Sequence, residues 1–218
     1  MRRSDWNAYW SRSEGGRFTR ESWSKRRIME RLDPYLRPGM RVLDAGCGCG
    51  HFCRRFLFRG CRVTALDRSE EALRIARRAT GGEAEAYLRE DLLDEGFAAR
   101  RRESFDLIFS DGLLEHFPAQ AQRKIVANLV AALAPGGMIA TFVPNALSPW
   151  RVVRPFLMPG IHETPFRGGP LRELHAGLDV LEAGGVNVLP FRWSPERALG
   201  GRFGMLLYVL ARRRDGGS

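Results

Sequence analysis

The sequence contains no apolar run of the roughly 18–20 residues that a membrane-spanning helix needs, and the apolar stretch FGMLLYVL near its end is far shorter. The N-terminal segment, MRRSDWNAYW, carries charge but lacks the apolar core of a secretory signal. These absences predict a cytoplasmic protein without a transmembrane segment. With 218 residues and 44% hydrophobic content, the chain is large enough for one domain with a buried core.

Lysine is almost absent, since Lys25 and Lys124 are the only two. Arginine therefore supplies nearly all of the basic charge, and the formal net charge is +10. Such an excess raises the possibility of a nucleic-acid partner or an anionic surface. The arginines are dispersed over many predicted elements, however, which is typical of solvated helix faces and helix ends. The composition therefore makes nucleic acid an unlikely partner without excluding it.

Cysteine is scarce, and the four thiols lie within one short region, at Cys47, Cys49, Cys53 and Cys61. A disulfide-stabilised scaffold would spread its cysteines through a small secreted chain. The spacing C-x-C-x3-C also lacks the paired C-x2-C units that hold tetrahedral zinc. The pattern therefore predicts reduced, structural thiols and no metal site among the cysteines.

The first two thirds of the chain alternate between strand and helix patterns. Apolar strands are predicted at 41–44, 62–66, 84–88, 105–110 and 138–143, and helices are predicted before, between and after them. Ser69 is a good N-cap, with acidic residues following it and arginines near the helix end, where the helix dipole favours each charge. This alternation predicts an α/β fold with a parallel sheet covered on both faces.

The amino-acid composition changes after the fifth predicted strand. Residues 144–169 are rich in proline and bulky side chains and are too long for an ordinary connection. We interpret them as an insertion, followed by a helix over 170–183 and strands at 186–191 and 205–211. The predicted organisation is an N-terminal helical segment, residues 1–38, and one domain, residues 39–218, that carries the insertion.

A glycine-rich loop, VLDAGCGCGHF at residues 42–52, follows the first strand. In an open parallel sheet, ligands bind beyond the carboxyl ends of the strands, where this loop lies. The spacing G-x-G-x-G differs from the dinucleotide pattern G-x-G-x-x-G, and the chain has no G-K-[ST] phosphate loop. Asp44 is poorly suited to a pyrophosphate and suits a ligand with a positively charged end.

Five motifs in order resemble those of the class I S-adenosylmethionine-dependent methyltransferases, across residues 40–143. They are DAGCGCG, VTALD, REDLLD, FDLIFSDGLLEHF and LAPGGMI. Within that family the chain is similar to the ubiquinone-pathway enzymes and to the type 11 and type 23 methyltransferases. The resemblance implies a doubly wound, Rossmann-like and mostly parallel seven-stranded sheet with helices on both faces, and S-adenosylmethionine as the cofactor.

The resemblance also implies a set of cofactor-binding residues. Asp67 matches the acidic residue that bonds the ribose hydroxyls, and Asp91 matches the one near the adenine amino group. The complete predicted set is Asp44, Ala45, Gly46, Cys47, Gly48, Gly50, Asp67, Arg68, Asp91, Leu92, Ser110 and Asp111.

The stretch SDGLLEHF carries the first candidate catalytic residue, His116. Some relatives bind a metal between two glutamates three residues apart and the following histidine. Here Gly112 replaces the first glutamate and Asp111 is one residue out of step, so no metal is predicted. His116 could serve as a general base toward a substrate hydroxyl, because imidazole has a suitable pKa. Capping of the turn before Pro118 is the equally favoured structural interpretation.

Two further segments are candidates for the substrate side. His162, paired with Glu163 in the insertion, is a second candidate catalytic residue, since loops over the ligand end of a sheet often carry function. Trp6, Tyr9 and Trp10 resemble the N-terminal aromatic segment that folds over cofactor or substrate in the family. A helix that merely packs on the domain is the alternative.

The predicted function is transfer of a methyl group to a small, apolar or ring-bearing metabolite, with O-methylation favoured. The alternatives are an RNA methyltransferase and a cofactor-binding module without activity. The insertion is predicted to form a lid, because its bulky side chains exceed what a surface loop needs, although they could instead complete the core. Its arginines could hold an acidic group or contact an anionic membrane peripherally. These side chains are Trp150, Phe156, Met158 and Phe166, with Arg151, Arg154 and Arg167.

Overall fold

The computed structural model of the protein describes residues 6–13, 20–152 and 163–214. Seven strands form one sheet within these residues. They are β1 Arg41–Ala45, β2 Arg62–Asp67, β3 Ala86–Arg89, β4 Phe105–Asp111, β5 Leu133–Pro144, β6 Asp179–Val186 and β7 Leu206–Arg212. Their spatial order is β3-β2-β1-β4-β5-β7-β6. β7 runs antiparallel to both of its neighbours, β5 and β6, and the other neighbouring strands are parallel. The predicted mostly parallel, seven-stranded sheet is therefore confirmed.

Helices cover both faces of this sheet. The helices of the described residues are α1 Trp6–Ser13, α2 Trp23–Leu32, α3 His51–Leu57, α4 Glu70–Ala79, α5 Phe97–Arg100, α6 Ala119–Ala132, α7 Gly168–Glu173 and α8 Glu196–Phe203. Buried side chains of α2, α3 and α4 form one apolar cluster with alternate strand residues, and those of α5, α6 and α7 form the other. The doubly wound arrangement is therefore confirmed.

An aromatic row crosses the sheet beneath α3. The ring of Phe109 on β4 lies 4.6 Å from that of Phe52 and 5.3 Å from that of Phe56. It continues through Phe142 on β5, 5.9 Å away, to Tyr208 on β7. Aromatic pairs at such distances add to the apolar burial that fixes helix on sheet. This row holds α3, the helix that follows the glycine loop, against the middle of the sheet.

The predicted helix over 170–183 and the predicted strand at 186–191 are wrong. The chain instead forms the short α7, then β6, and residues after 186 form a loop. The local sequence is amphipathic enough for a helix, but pairing with β7 decides its structure. A pair of glycines permits the close packing of α8, because a Cβ on Gly185 would lie 2.1 Å from the carbonyl oxygen of Gly200.

The fifth strand is longer than predicted, because it begins at Leu133, ahead of the Pro135-Gly136 pair. The ends of the insertion meet at the other end of this strand. Phe166 N–H donates to the carbonyl of Pro144, and Ala146 N–H donates to the carbonyl of Phe166, each at 2.8 Å. The insertion therefore leaves and re-enters the fold at the carboxyl end of β5.

Several predicted lid residues, Arg154, Phe156, Met158 and His162, lie outside the described residues. Among the described ones, Phe166 is buried in the apolar cluster under α6, as the alternative interpretation expected, whereas Trp150 is half-buried and Arg151 exposed. Among the described helices, none combines the length and the apolar character required to cross a bilayer.

A buried arginine ties α2 to the loop after β6. Its guanidinium, on Arg27, donates to Asn187 Oδ1 at 2.7 Å and to the carbonyl of Leu189 at 2.8 Å, and its Nε lies 2.6 Å from Glu196. A charge withdrawn from water is tolerated where paired and hydrogen-bonded in this way. The tie fixes the N-terminal helical region against the ligand end of the sheet.

Candidate functional site

The glycine loop turns sharply between β1 and α3. Gly46, Gly48 and Gly50 all have positive φ, at 78°, 50° and 72°. A side chain is disfavoured in that region of backbone space. At Gly50 a Cβ would also lie 2.8 Å from the backbone of Ala76 on α4. The loop is therefore built from glycine for both conformation and close packing.

Two carboxylates from adjacent strands organise this loop. Asp67, at the end of β2, accepts hydrogen bonds from Gly48 N–H at 3.0 Å and from Ser69 N–H at 2.8 Å. Asp44, at the end of β1, is 2% exposed and accepts a hydrogen bond from the Cys53 thiol at 3.1 Å. Burial, together with the neighbouring Asp111 and Asp67, raises the pKa of Asp44 to about 7. The site thus concentrates acidic groups that a cationic ligand would stabilise in ionised form.

The cysteines of the loop serve its packing. All four are free, buried thiols. A hydrogen bond with Cys47, together with burial, raises the pKa of Cys53 well above its ordinary value. A neutral thiol is a weak nucleophile and a poor metal ligand. This is consistent with the structural role predicted from the spacing.

A lysine that the sequence analysis did not select faces the same site. Lys25 on α2 donates to the carbonyl of Arg20 at 2.8 Å. Burial lowers the pKa of Lys25, while Cys49 and Asp111 act against that shift. Burial likewise raises the pKa of Asp111 to about 7, with Lys25 opposing it. A signal existed in the sequence, since Lys25 is one of only two lysines in an arginine-rich chain.

Helix α1 lies over the glycine loop. A Cβ on Gly48 would come within 2.7 Å of the Trp10 indole, so the ring packs directly on the loop backbone. The Ser69 hydroxyl, at the start of α4, donates to Asn7 Oδ1 at 2.7 Å. The ring of Trp6, at the start of α1, contacts the His116 ring edge-on, with 4.7 Å between the ring centroids. The predicted aromatic segment therefore contacts both the glycine loop and the first candidate catalytic residue.

The remaining predicted cofactor residues lie in three places. Ala45, Ser110 and Asp111 lie at the carboxyl ends of β1 and β4, and Arg68 follows β2, all along the same edge as the glycine loop. Asp91 follows β3 and accepts a hydrogen bond from Leu93 N–H at 2.9 Å. Leu92, by contrast, is buried in the apolar cluster beneath α5 and α6, so its side chain belongs to the core.

His116 lies in a 3₁₀ turn, Leu114–His116, just beyond β4. The side chain of Gln122 holds the turn by donating to the carbonyls of Leu114 and Phe117, at 3.1 and 2.8 Å. His116 Nε2 lies 3.9 Å from a carboxylate oxygen of Glu163, which returns from the insertion. His162 falls outside the described residues. His175 is structural, because it is buried between Thr141 and the carbonyl of Leu171.

The model of the methyltransferase domain family matches residues 42–137. The malonyl-[acyl-carrier protein] O-methyltransferase of Enterobacter lignolyticus (strain SCF1) is 34% identical over 119 residues, covering 52% of this chain and 45% of that protein. The ubiquinone biosynthesis O-methyltransferase of Aromatoleum aromaticum (strain DSM 19018 / LMG 30748 / EbN1) is 35% identical over 101 residues, covering 46% and 42%. The chain thus spans less than half the length of these curated relatives.

Solved structures show the same fold along most of the chain. The N-methyltransferase NodS from Bradyrhizobium japonicum WM9, in complex with S-adenosyl-L-homocysteine, aligns with a TM-score of 0.69 at 18% identity, covering 96% of this chain and 99% of that one. The magnesium protoporphyrin IX methyltransferase from Synechocystis PCC 6803 aligns at 0.63 and 19% identity, covering 87% and 81%. At such identities the likeness concerns the fold.

The raised pKa of Asp44 generates a prediction for the ligand-free protein. Because the folded-state pKa is about 7 against 3.8 for the ordinary group, its contribution to stability is fully present below 3.8 and is lost as the pH rises to about 7. We expect Asp44→Asn to leave the free energy of unfolding nearly unchanged near pH 4 and to raise it relative to wild type at pH 8. Urea unfolding at both pH values measures this.

The control residue, Asp106, should show the opposite dependence of stability on pH. Hydrogen bonding from Arg41 lowers the pKa of Asp106, so Asp106→Asn should lower stability at pH 8 more than near pH 4. An Asp44→Asn variant that is less stable than wild type at both pH values would contradict the prediction.

Proposed function

We propose that the chain acts as a class I S-adenosylmethionine-dependent methyltransferase and transfers a methyl group from that cofactor to a hydroxyl of a small, apolar or ring-bearing molecule. One observation carries the proposal. The glycine loop with its carboxylates and the His116–Glu163 pair follow neighbouring strands at the same edge of the sheet. This arrangement supports the proposal, because the proposed cofactor site and the proposed proton-accepting group are neighbours in the fold.

The residues present fit this cofactor. Its sulfonium and ammonium groups are positive, and the buried Asp44 and Asp111 provide negative charge where the pKa of each is raised to about 7. Lys25 offers a cation for the methionine carboxylate. Asp67 is proposed to bind the ribose hydroxyls, and Gly48 allows close approach of the backbone. Asp91, after β3, is assigned to the adenine end.

S-adenosylmethionine supplies an activated methyl group, so the protein chiefly positions the reactants and excludes water. Holding two reactants in line can contribute roughly 7–11 kcal/mol toward lowering a barrier. Trp6 and Trp10 cover the site from one side. A hydroxyl acceptor must also lose its proton. The imidazole of His116, paired with the carboxylate of Glu163, is proposed to accept that proton.

The proposed ribose contact generates a test of cofactor binding. We expect Asp67→Ala to weaken S-adenosylmethionine binding by about 1.5–3 kcal/mol, the scale of a hydrogen bond to a charged group. Isothermal titration calorimetry measures the change. Asp67→Asn, which retains an acceptor for the loop N–H groups, separates loss of charge from loosening of the loop, and Asp94→Asn is an exposed control. Equal affinity in the wild type and both Asp67 variants would refute this site.

The insertion is proposed as a lid over the acceptor. We expect Trp150→Ala to reduce methyl transfer while leaving the melting temperature and the cofactor affinity nearly unchanged, because Trp150 is half-buried outside the two main apolar clusters. Phe166→Ala is the matched contrast, and a buried Phe→Ala change destabilises by about 3–5 kcal/mol.

The assay for that comparison is a transfer screen with labelled cofactor against phenols, quinols, lipids and tRNA. If Trp150→Ala unfolds as Phe166→Ala does, the lid is refuted. If tRNA exceeds every small acceptor, the RNA alternative replaces the proposed function. Cofactor binding without any turnover would favour the inactive module.

Peripheral membrane contact is supported by the segment between β6 and β7. This segment exposes large apolar side chains interleaved with arginines, namely Phe191, Trp193, Leu199, Phe203, Arg192, Arg197 and Arg202. Aromatic and basic groups together are typical of surfaces that bind anionic lipid. A lipophilic acceptor could then be drawn from the bilayer into the site.

Vesicle co-sedimentation tests this surface. Wild type should bind phosphatidylglycerol vesicles more than phosphatidylcholine vesicles, and a Phe191→Ser and Trp193→Ser double variant should bind less. Phe58→Ser is the control, because Phe58 is 86% exposed but follows α3 at the opposite edge of the sheet. Equal binding by the double variant and the control contradicts the membrane role.

A further inference from the structure

The carboxyl group of Asp44 is surrounded by ionisable groups from several elements. Asp44 is 2% exposed, and its acidic neighbours are Asp67 at the end of β2 and Asp111 at the end of β4. Helix α3 contributes Cys53, and Lys25 of α2 lies near Asp111. Because the neighbouring acids disfavour a further negative charge, ionisation of Asp44 depends on the hydrogen-bond donors that reach it.

A buried thiol is such a donor. Cys53 is fully buried, and its Sγ donates to Asp44 Oδ2 at 3.1 Å. A second thiol, that of Cys47, is hydrogen-bonded to Cys53 and lies 3.9 Å from the carbonyl oxygen of Gly48. The thiol of Cys49 also faces Asp44 electrostatically. Two thiols thus connect the carboxyl group at the end of β1 with the backbone of the glycine loop.

The thiol of Cys53 keeps its proton. The hydrogen bond with Cys47, together with burial, raises the pKa of Cys53 well above its ordinary value. A neutral thiol can donate a hydrogen bond, whereas a thiolate can only accept one. The property that makes Cys53 a weak nucleophile therefore makes it a donor throughout the pH range in which Asp44 loses its proton.

This donor favours the ionised form of Asp44. Burial raises the pKa of Asp44 to about 7, and the hydrogen bond from the Cys53 thiol is the largest influence in the opposite direction, with the backbone of Cys53 adding to it. A hydrogen bond to the charged form of an acid lowers its pKa. Without the thiol, Asp44 would lose its proton only at a higher pH.

We propose that Cys53 is a positioning residue of the cofactor site, whose thiol holds the ionised Asp44 carboxylate toward the ammonium group of S-adenosylmethionine. The donor is fixed in place before the cofactor arrives, because Phe52 and Phe56, on either side of Cys53 in α3, both pack against the Phe109 ring of β4. The role toward the cofactor rests on the proposed function, whereas the effect of the thiol on Asp44 does not.

The effect on Asp44 is tested without cofactor. Protein carrying aspartate labelled with ¹³C at the side-chain carboxyl is titrated from pH 5 to pH 9 and followed by nuclear magnetic resonance, and Asp44→Asn identifies the Asp44 signal. We expect Cys53→Ala to raise the titration midpoint by about half to one pH unit, which is about 3–10-fold in the acid dissociation constant and matches the loss of one hydrogen bond. Cys53→Ser should titrate near wild type, because its hydroxyl can donate.

The matched control is Cys61→Ala. Cys61 is buried in the same apolar cluster as Cys53, but its thiol lies 3.7 Å from the carbonyl oxygen of Arg37, before β1 and therefore at the opposite edge of the sheet. Its removal should leave the Asp44 midpoint unchanged, and the melting temperatures of the two alanine variants compare the loss of packing.

A measurement on wild type covers the case in which Cys53→Ala does not fold. Infrared spectroscopy should then show one S–H stretching band that moves as the pH rises through the Asp44 midpoint and that stays fixed in Asp44→Asn. An S–H spectrum that does not respond to pH in wild type overturns the proposal.

Cofactor binding is measured by calorimetry with S-adenosylmethionine at pH 6 and pH 8.5. At pH 6 the affinity of Cys53→Ala should be about 3–10-fold below that of wild type, because binding requires an ionised Asp44, which is then that much rarer. The two affinities should converge at pH 8.5, where Asp44 is mostly ionised in both proteins. Cys53→Ser should restore the affinity at pH 6.

The possible results separate the thiol, the cofactor site and packing. An unchanged midpoint in Cys53→Ala overturns the proposal. A midpoint in Cys53→Ser or Cys61→Ala that moves with that of Cys53→Ala also overturns it, because packing would then be the cause. An equal loss of affinity at both pH values overturns the role toward the cofactor. A shifted midpoint in a protein whose wild type binds no S-adenosylmethionine overturns the proposed function and leaves the effect of the thiol on Asp44 standing.

Discussion

Parallel pairing of β1 with β2 on one side and β4 on the other is the constraint on which the site depends. It brings the carboxyl ends of three strands to one edge. β2 and β4 end in Asp67 and Asp111, and Asp44 is the next-to-last residue of β1. Groups separated by many residues in the chain thereby become neighbours. Asp67 fixes the glycine loop, because its carboxylate accepts backbone hydrogen bonds from Gly48, after β1, and from Ser69, after β2.

The charge concentrated at this edge is opposite in sign to the net charge of the molecule. The chain carries a net charge of +10, but its candidate site concentrates carboxylates whose burial raises the pKa of Asp44 and Asp111. In water such acids ionise at little cost, whereas at this edge they need a positive partner to do so. The net basic charge therefore describes the outer surface, whereas a few buried groups give this edge the opposite sign.

Helix α1 joins the two halves of the site. Trp10 packs on the backbone of Gly48 after β1, and Trp6 contacts His116 beyond the neighbouring strand β4. The absence of a side chain at Gly48 thus serves both the turn and the approach of the indole. Displacement of α1 would therefore uncover both the glycine loop and the His116–Glu163 pair.

The sequence by itself determined the strands β1 to β5, the conformation of the glycine loop and the acidic residues at the strand ends, because these depend on local apolar periodicity, positive φ and position within a strand. Only the tertiary structure decided that residues 179–186 form an edge strand, since pairing with β7 and the close packing of α8 outweigh a helical pattern. It also decided the positions of Lys25 and Glu163. Neither residue lies near the motifs in the chain, and the fold brings both to the carboxyl edge of the sheet, so no local spacing could place Lys25 near Asp111 or Glu163 beside His116.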